Sequence, residues 1–96
     1  MVLIVRGHII RENVKLLPMK KKRKSKRDVY LKKVGRNIRE ARKAKGISQE
    51  ALALASGLDR SYVGSVERGE RNISILNLKK ISYSLGITTS LLLTGV

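Results

Sequence analysis

Side chains able to do covalent or metal chemistry are nearly missing from this sequence. It holds no cysteine, and His8 is its single histidine, so thiolate nucleophiles, disulfides and Cys/His metal sites lack raw material. No carboxylate pair, Cys/His couple or glycine-rich phosphate loop stands in a setting suited to catalysis. An enzyme is therefore not expected, nor a metal, a cofactor or a small-molecule substrate. The chemistry on offer is cationic. Lys and Arg number 22 against 7 Asp and Glu, a formal charge of +15, which selects a polyanionic partner, either nucleic acid or an anionic membrane surface. Basic residues fill all but one position of the run Lys20, Lys21, Lys22, Arg23, Lys24, Ser25, Lys26, Arg27. Such a block repels itself and stays disordered until neutralised. It suits a flexible arm lying along a phosphate backbone, with an attraction that weakens steeply as salt rises. A solubilising tail is the plain alternative. Membrane attachment would need an amphipathic basic helix with large apolar residues. Residues 19–33 offer few of these, and no apolar run approaches the length of a membrane span.

The charge is unevenly placed. Residues 1–33 carry a net +10 and residues 34–96 a net +5. This divides the chain into an extension with a basic arm, residues 1–29, expected to be flexible, and a domain over residues 30–96. The extension opens with Val2-Leu3-Ile4-Val5, which Arg6 soon interrupts. That is too short for a signal peptide, and no small-residue cleavage site follows. The four residues could form a short strand, but a lone strand has no partner beside a helical domain. Met19 as the natural start is a further reading of this segment.

From about Tyr30 the apolar residues recur at helical spacing. Leu31, Val34, Ile38 and Ala41 share one face of a first helix that Gly46 would end. Ser48 can cap a second helix, with Glu50 in its first turn and Gly57 at its end. Asp59 can cap a third, carrying Tyr62, Val63 and Val66 and stopping near Gly69. Residues 74–85 make a fourth, with Ile75, Leu78, Ile81 and Leu85 on one stripe. Thr88 or Thr89 can cap a short fifth bearing Leu91 to Leu93. Phe and Trp are absent, so Leu, Ile, Val and Ala must build the interior. Five short helices and no hairpin signal define an all-α fold.

The second and third helices are joined only by Ser56-Gly57-Leu58, the tight connection of a helix-turn-helix. Ala53 is small where the helices would cross, and Gly57 can supply a positive φ. Leu58, Val63 and Val66 would point into the core, leaving Asp59 to Tyr62 projecting from a rigid base. An ordinary helical bundle with short loops has the same spacing.

The residues themselves go further. The stretch G-I-S-Q-E-A-L-A-L-A-S-G-L-D-R-S-Y-V-G-S-V-E-R-G resembles the Cro/phage-repressor-like (XRE) helix-turn-helix family, and the likeness extends over roughly residues 34–95. The string L-D-R-S-Y-V-G-S-V-E-R-G-E-R-N is most similar to the controller proteins of restriction–modification systems. The resemblance implies a five-helix lambda-repressor-like domain in a cytoplasmic transcription regulator, its third helix in the major groove of double-stranded DNA. Arg60, Ser61, Tyr62 and Ser65 would then read bases, with Arg60 able to place two parallel bonds on guanine. Tyr62 in the core is the competing placement. Gln49, at the N-terminus of the second helix, would clamp a phosphate. Arg71 would approach base or backbone and Asn72 backbone, while Lys20, Lys21, Lys22, Arg23 and Lys24 would follow phosphates. Arg42 and Glu67 match the family's buried ion pair and take a structural role.

One third helix sees too few base pairs for genomic specificity. The resemblance implies a homodimer on a palindromic operator, joined through Leu91, Leu92 and Leu93, with Asn77 and Tyr83 at the rim. RNA polymerase is a further partner to consider, through an acidic contact for which Glu50 is the candidate. An antitoxin, whose N-terminal extension masks a toxin, is the alternative function.

Overall fold

The computed structural model describes residues 2–11 and 25–96. Lys20, Lys21, Lys22, Arg23 and Lys24 lie outside the described residues, so the expected DNA arm has no structural account. The described residues form β1 (Val2–Val5), β2 (His8–Arg11), α1 (Lys26–Lys45), α2 (Gln49–Ser56), α3 (Arg60–Glu67), α4 (Ile75–Leu85) and α5 (Thr89–Leu92). The helices follow the all-α reading of residues 30–96 in number and order.

The extension departs from expectation. Val2–Val5 does find a partner: it pairs antiparallel with His8–Arg11, with Leu3 opposite Ile10 and Ile4 opposite Ile9. Arg6 and Gly7 make the two-residue turn at φ 51° and 77°. Two consecutive positive φ angles match the right-handed twist of a tight hairpin. The usual Asn-Gly or Asp-Gly signal is replaced here by Arg-Gly, which is why the turn is hard to see in the sequence.

The first helix also starts earlier than the apolar period suggests. Ser25 adopts extended backbone and its Oγ accepts from the Asp28 amide at 3.3 Å. This cap draws Lys26 and Arg27 out of the basic run and into the first helical turn, where Asp28 offsets their unfavourable position against the helix dipole. Ser48 caps α2 through the Ala51 amide at 3.0 Å, and Ser74 caps α4 through the Asn77 amide at 3.1 Å. Losing such a cap costs about 1 kcal/mol. Asp59 holds the cap position of α3 in extended backbone but makes no side-chain cap bond.

The core is aliphatic throughout. Val34 and Ile38 of α1, Leu52 and Ala53 of α2, Val63 and Val66 of α3, Leu78, Ile81 and Leu85 of α4, and Leu92 of α5 form one buried cluster. Each fully buried Leu, Ile or Val contributes roughly 1.5–3 kcal/mol against its exposed state. Two expectations fail here. Ile75 is 82% exposed although it continues the α4 stripe in sequence; it sits in the first turn, beyond the reach of the core. Leu92, expected between two chains, is 1% exposed inside one. Asn37 of α1 fixes that end by donating Nδ2 to the carbonyls of Leu92 and Thr94, both at 2.9 Å.

Two glycines set the crossing geometry. Gly57 closes α2 at φ 70°, so the chain changes direction within the three residues that separate α2 from α3. Gly35 lies where α1 meets the end of α3: a Cβ there would strike the Val66 carbonyl and come within 2.6 Å of the Glu67 carbonyl oxygen. Backbone meets backbone, so neither side can yield cheaply.

Candidate nucleic-acid interface

The third helix can serve as a reading element only if its orientation is held. Glu67, at its last position, is the holding point. Arg42 of α1 grips the carboxylate with two bonds, Nε to Oε2 at 2.7 Å and Nη2 to Oε1 at 3.1 Å. The side chains of Arg42 and Glu67 are 10% and 2% exposed. Arg42 donates a further bond from Nη1 to the Ile47 carbonyl at 2.9 Å, just before α2. Gln49, in the first turn of α2, donates Nε2 to Glu67 Oε1 at 2.9 Å. One carboxylate thus ties three helices together. The bond to Glu67 raises the pKa of Arg42 above its ordinary value, outweighing the opposing effect of burial. The fork geometry of guanidinium on carboxylate also fixes angle as well as distance.

Gln49 thus takes a structural bond in addition to the phosphate contact expected of it. Its side-chain amide nitrogen is committed to Glu67. The second N–H of that amide and the main-chain dipole at the start of α2 remain available to an anion there.

At the other end of α3, Arg60 and Ser61 are exposed. Tyr62 is half-buried and packs against the core. Its hydroxyl accepts from Asn77 Nδ2 of α4 at 3.0 Å, and the Arg71 guanidinium lies 5.8 Å from its ring centroid. That separation is within cation–π range. Ser65 is set apart from this group: it is 9% exposed, and its Oγ donates to the Tyr62 carbonyl at 2.7 Å. A small hydroxyl facing its own helix backbone is satisfied locally. The described structure thus brings Arg60, Ser61, Tyr62 and Arg71 to one end of α3 and turns Ser65 inward.

Asn72 is exposed, one residue beyond Arg71. Arg68 and Glu70, which drew no attention in the sequence, pair across the turn that follows α3, Nε to Oε2 at 3.0 Å. Their bond holds the Glu70 carboxyl below its ordinary range and raises Arg68. Both are well exposed, so the pair contributes little to stability.

On the surface formed by α4 and α5, Leu91 is 56%, Leu93 43% and Tyr83 83% exposed. Asn77, expected at the rim of that surface, is half-buried. Its amide turns to Tyr62, a contact separated by fifteen positions in sequence and marked by no local pattern. Leu76, its neighbour in sequence, is 74% exposed.

A short-turn helix pair inside a five-helix bundle, with its second helix pinned at one end and polar at the other, defines a DNA-binding helix-turn-helix domain of the XRE type. Comparison with known proteins agrees. The family model described as "Helix-turn-helix" matches residues 38–92. The control protein C.MunI of Mycoplasma sp is 46% identical over 63 residues, which span 65% of this chain and 85% of that protein. The crystal structure of the restriction–modification controller protein C.AhdI from Aeromonas hydrophila is 56% identical, with a TM-score of 0.64 over 65% of this chain and 94% of that one. The controller protein C.Esp1396I, solved as a tetramer with its natural 35 base-pair operator, is 38% identical with a TM-score of 0.62, over 66% of this chain and 83% of that one. The chain belongs to the helix-turn-helix family, as a transcription regulator of the restriction–modification controller type.

Proposed function

We propose that this chain binds a palindromic operator as a homodimer and thereby controls expression of restriction–modification genes. The observation that carries the reading is the state of α3. Its C-terminal end is pinned by the Arg42–Glu67–Gln49 network, while Arg60 and Ser61 stand free at its N-terminal end. Pre-organisation of this kind lets binding energy go into base contacts rather than into ordering the reader. Arg60 donates to guanine, Ser61 and Tyr62 contact neighbouring base edges or phosphates, Arg71 reaches base or backbone, and Asn72 reaches backbone. The basic run Lys20–Lys24 follows phosphates and adds affinity without specificity. Leu91, Leu93, Tyr83 and Leu76 form the two-fold contact. A two-fold dimer places its α3 helices about 34 Å apart, one turn of DNA. The multimeric operator complex of C.Esp1396I supports this arrangement. Glu50, exposed in the first turn of α2, is one acidic group that could meet RNA polymerase.

The test begins with selection of high-affinity duplexes from a randomised library by the wild-type protein. Binding of the best duplex and of its scrambled counterpart is then measured by fluorescence anisotropy at fixed salt. Arg60→Ala should weaken the selected duplex roughly 5- to 150-fold, the worth of one bidentate base contact, and leave the scrambled duplex unchanged. Equal binding of the selected duplex by variant and wild type would refute the assignment.

A further inference from the structure

Resting on the DNA-reading role of α3, we infer that Asn77 of α4 is a positioning residue for base recognition, acting through Tyr62. A tyrosine near the start of an exposed helix has two side-chain torsions, and a free ring would sweep across several orientations before DNA arrives. Here the ring is restrained from three directions. Its body rests against the core, the Arg71 guanidinium lies 5.8 Å from its centroid, and its hydroxyl oxygen accepts from Asn77 Nδ2 at 3.0 Å. Of these restraints only Asn77 is directional at the functional atom.

The bond also decides what the phenol can offer. With a lone pair occupied by the Asn77 amide, the hydroxyl proton is left to donate outward. Tyr62 is therefore set to meet base acceptors such as thymine O4 or guanine O6 and N7, rather than the amino groups of adenine or cytosine. The anchor is itself well founded. Asn77 sits in the first turn of α4, where its own amide is capped by Ser74 Oγ at 3.1 Å, and the next residue, Leu78, is buried. Its amide is thus carried by a rigid helix start, with a position set by the core rather than by solvent.

Asn77 therefore belongs to the specificity machinery although it need not touch DNA. The experiment uses the full chain, the best duplex selected by the wild-type protein, and its scrambled counterpart. Asn77→Ala should lose about tenfold on the selected duplex, the scale of one net hydrogen bond, and nothing on the scrambled one. Tyr62→Phe should lose a similar factor, and the double variant should lose no more than Tyr62→Phe alone. Sedimentation should give the same oligomeric state for all four proteins. Wild-type binding by Asn77→Ala, additive losses in the double variant, or an equal loss on both duplexes would each overturn the inference while leaving the reading role of α3 intact. Failure of the wild-type protein to enrich any duplex would overturn that role and the inference with it.

Discussion

Glu67→Gln is the substitution that most directly tests how α3 is held. The change keeps the shape of the side chain but leaves Arg42 with its charge and without its counter-ion. The side chain of Glu67 is 2% exposed and that of Arg42 10%, so water can replace little of what is lost. Breaking a buried pair by removing one partner costs about 3–5 kcal/mol. The lower end applies here, because Arg42 keeps its bond to the Ile47 carbonyl and reaches solvent at one edge. A domain of about 70 residues has roughly 3.5–10 kcal/mol of total stability, so the loss is a large share of it. At about 4–8 °C per kcal/mol, about 3 kcal/mol lowers Tm by about 12–24 °C. Urea titration and thermal melts followed by circular dichroism would read this directly. The difference from wild type should change little between 0.1 and 1 M salt, since buried pairs are weakly screened. Replacing both partners with apolar residues, Arg42→Met with Glu67→Leu, should restore most of the lost stability. That double variant would still lack the Gln49 tether, so operator affinity should recover less than Tm does. A loss below about 1 kcal/mol for Glu67→Gln would refute the reasoning, because it would mean the pair is hydrated in solution.

Other perturbations separate packing, charge and assembly. Gly35→Ala should destabilise the fold by about 1–3 kcal/mol, the usual cost of overpacking, since its Cβ would meet two carbonyl groups of α3; an unchanged urea midpoint would show that α1 can move aside. Removal of residues 1–24 leaves the Ser25 cap in place and should reduce the slope of log K against log salt by about 4.5, at about 0.9 per phosphate if each of the five cations of Lys20–Lys24 meets one. An unaltered slope would mean that the basic run does not touch DNA. Leu91→Asp with Leu93→Asp should give a folded monomer by sedimentation, whereas Leu92→Ala should instead cost about 2–5 kcal/mol of stability. A dimer persisting in the first variant would place the two-fold contact elsewhere.

The helices and their ends could be read in the sequence because their causes are local. Gly46, Ser48 and Gly57 act within a few residues of themselves, and the period of Val34, Ile38, Leu78 and Ile81 marks the buried face whatever lies opposite. The resemblance carried by residues 46–69 pointed to α3 as the helix proposed to read DNA, and Arg60 and Ser61 are exposed at its first turn. Ser25 shows where locality misleads: a polar residue inside a basic run reads as part of a tail, yet its hydroxyl starts the helix. The Arg6-Gly7 hairpin was missed for a related reason, since arginine at positive φ carries no sequence signature.

What the tertiary structure decided was the use of side chains whose partners lie on other helices. Leu91, Leu92 and Leu93 are alike in sequence, but only Leu92 faces the space between α1 and α4 and belongs to the core. Ser65 was expected with the readers and turns to its own backbone. Gln49 is tied to Glu67, and Asn77 to Tyr62. The outcomes for Leu92, Gln49 and Asn77 depend on the angle at which two helices cross, which is set by contacts such as Gly35 on the end of α3, whereas the bond of Ser65 stays within its own helix. Periodicity determines which face of a helix is buried; only the packed arrangement determines which hydrogen bonds form across that face.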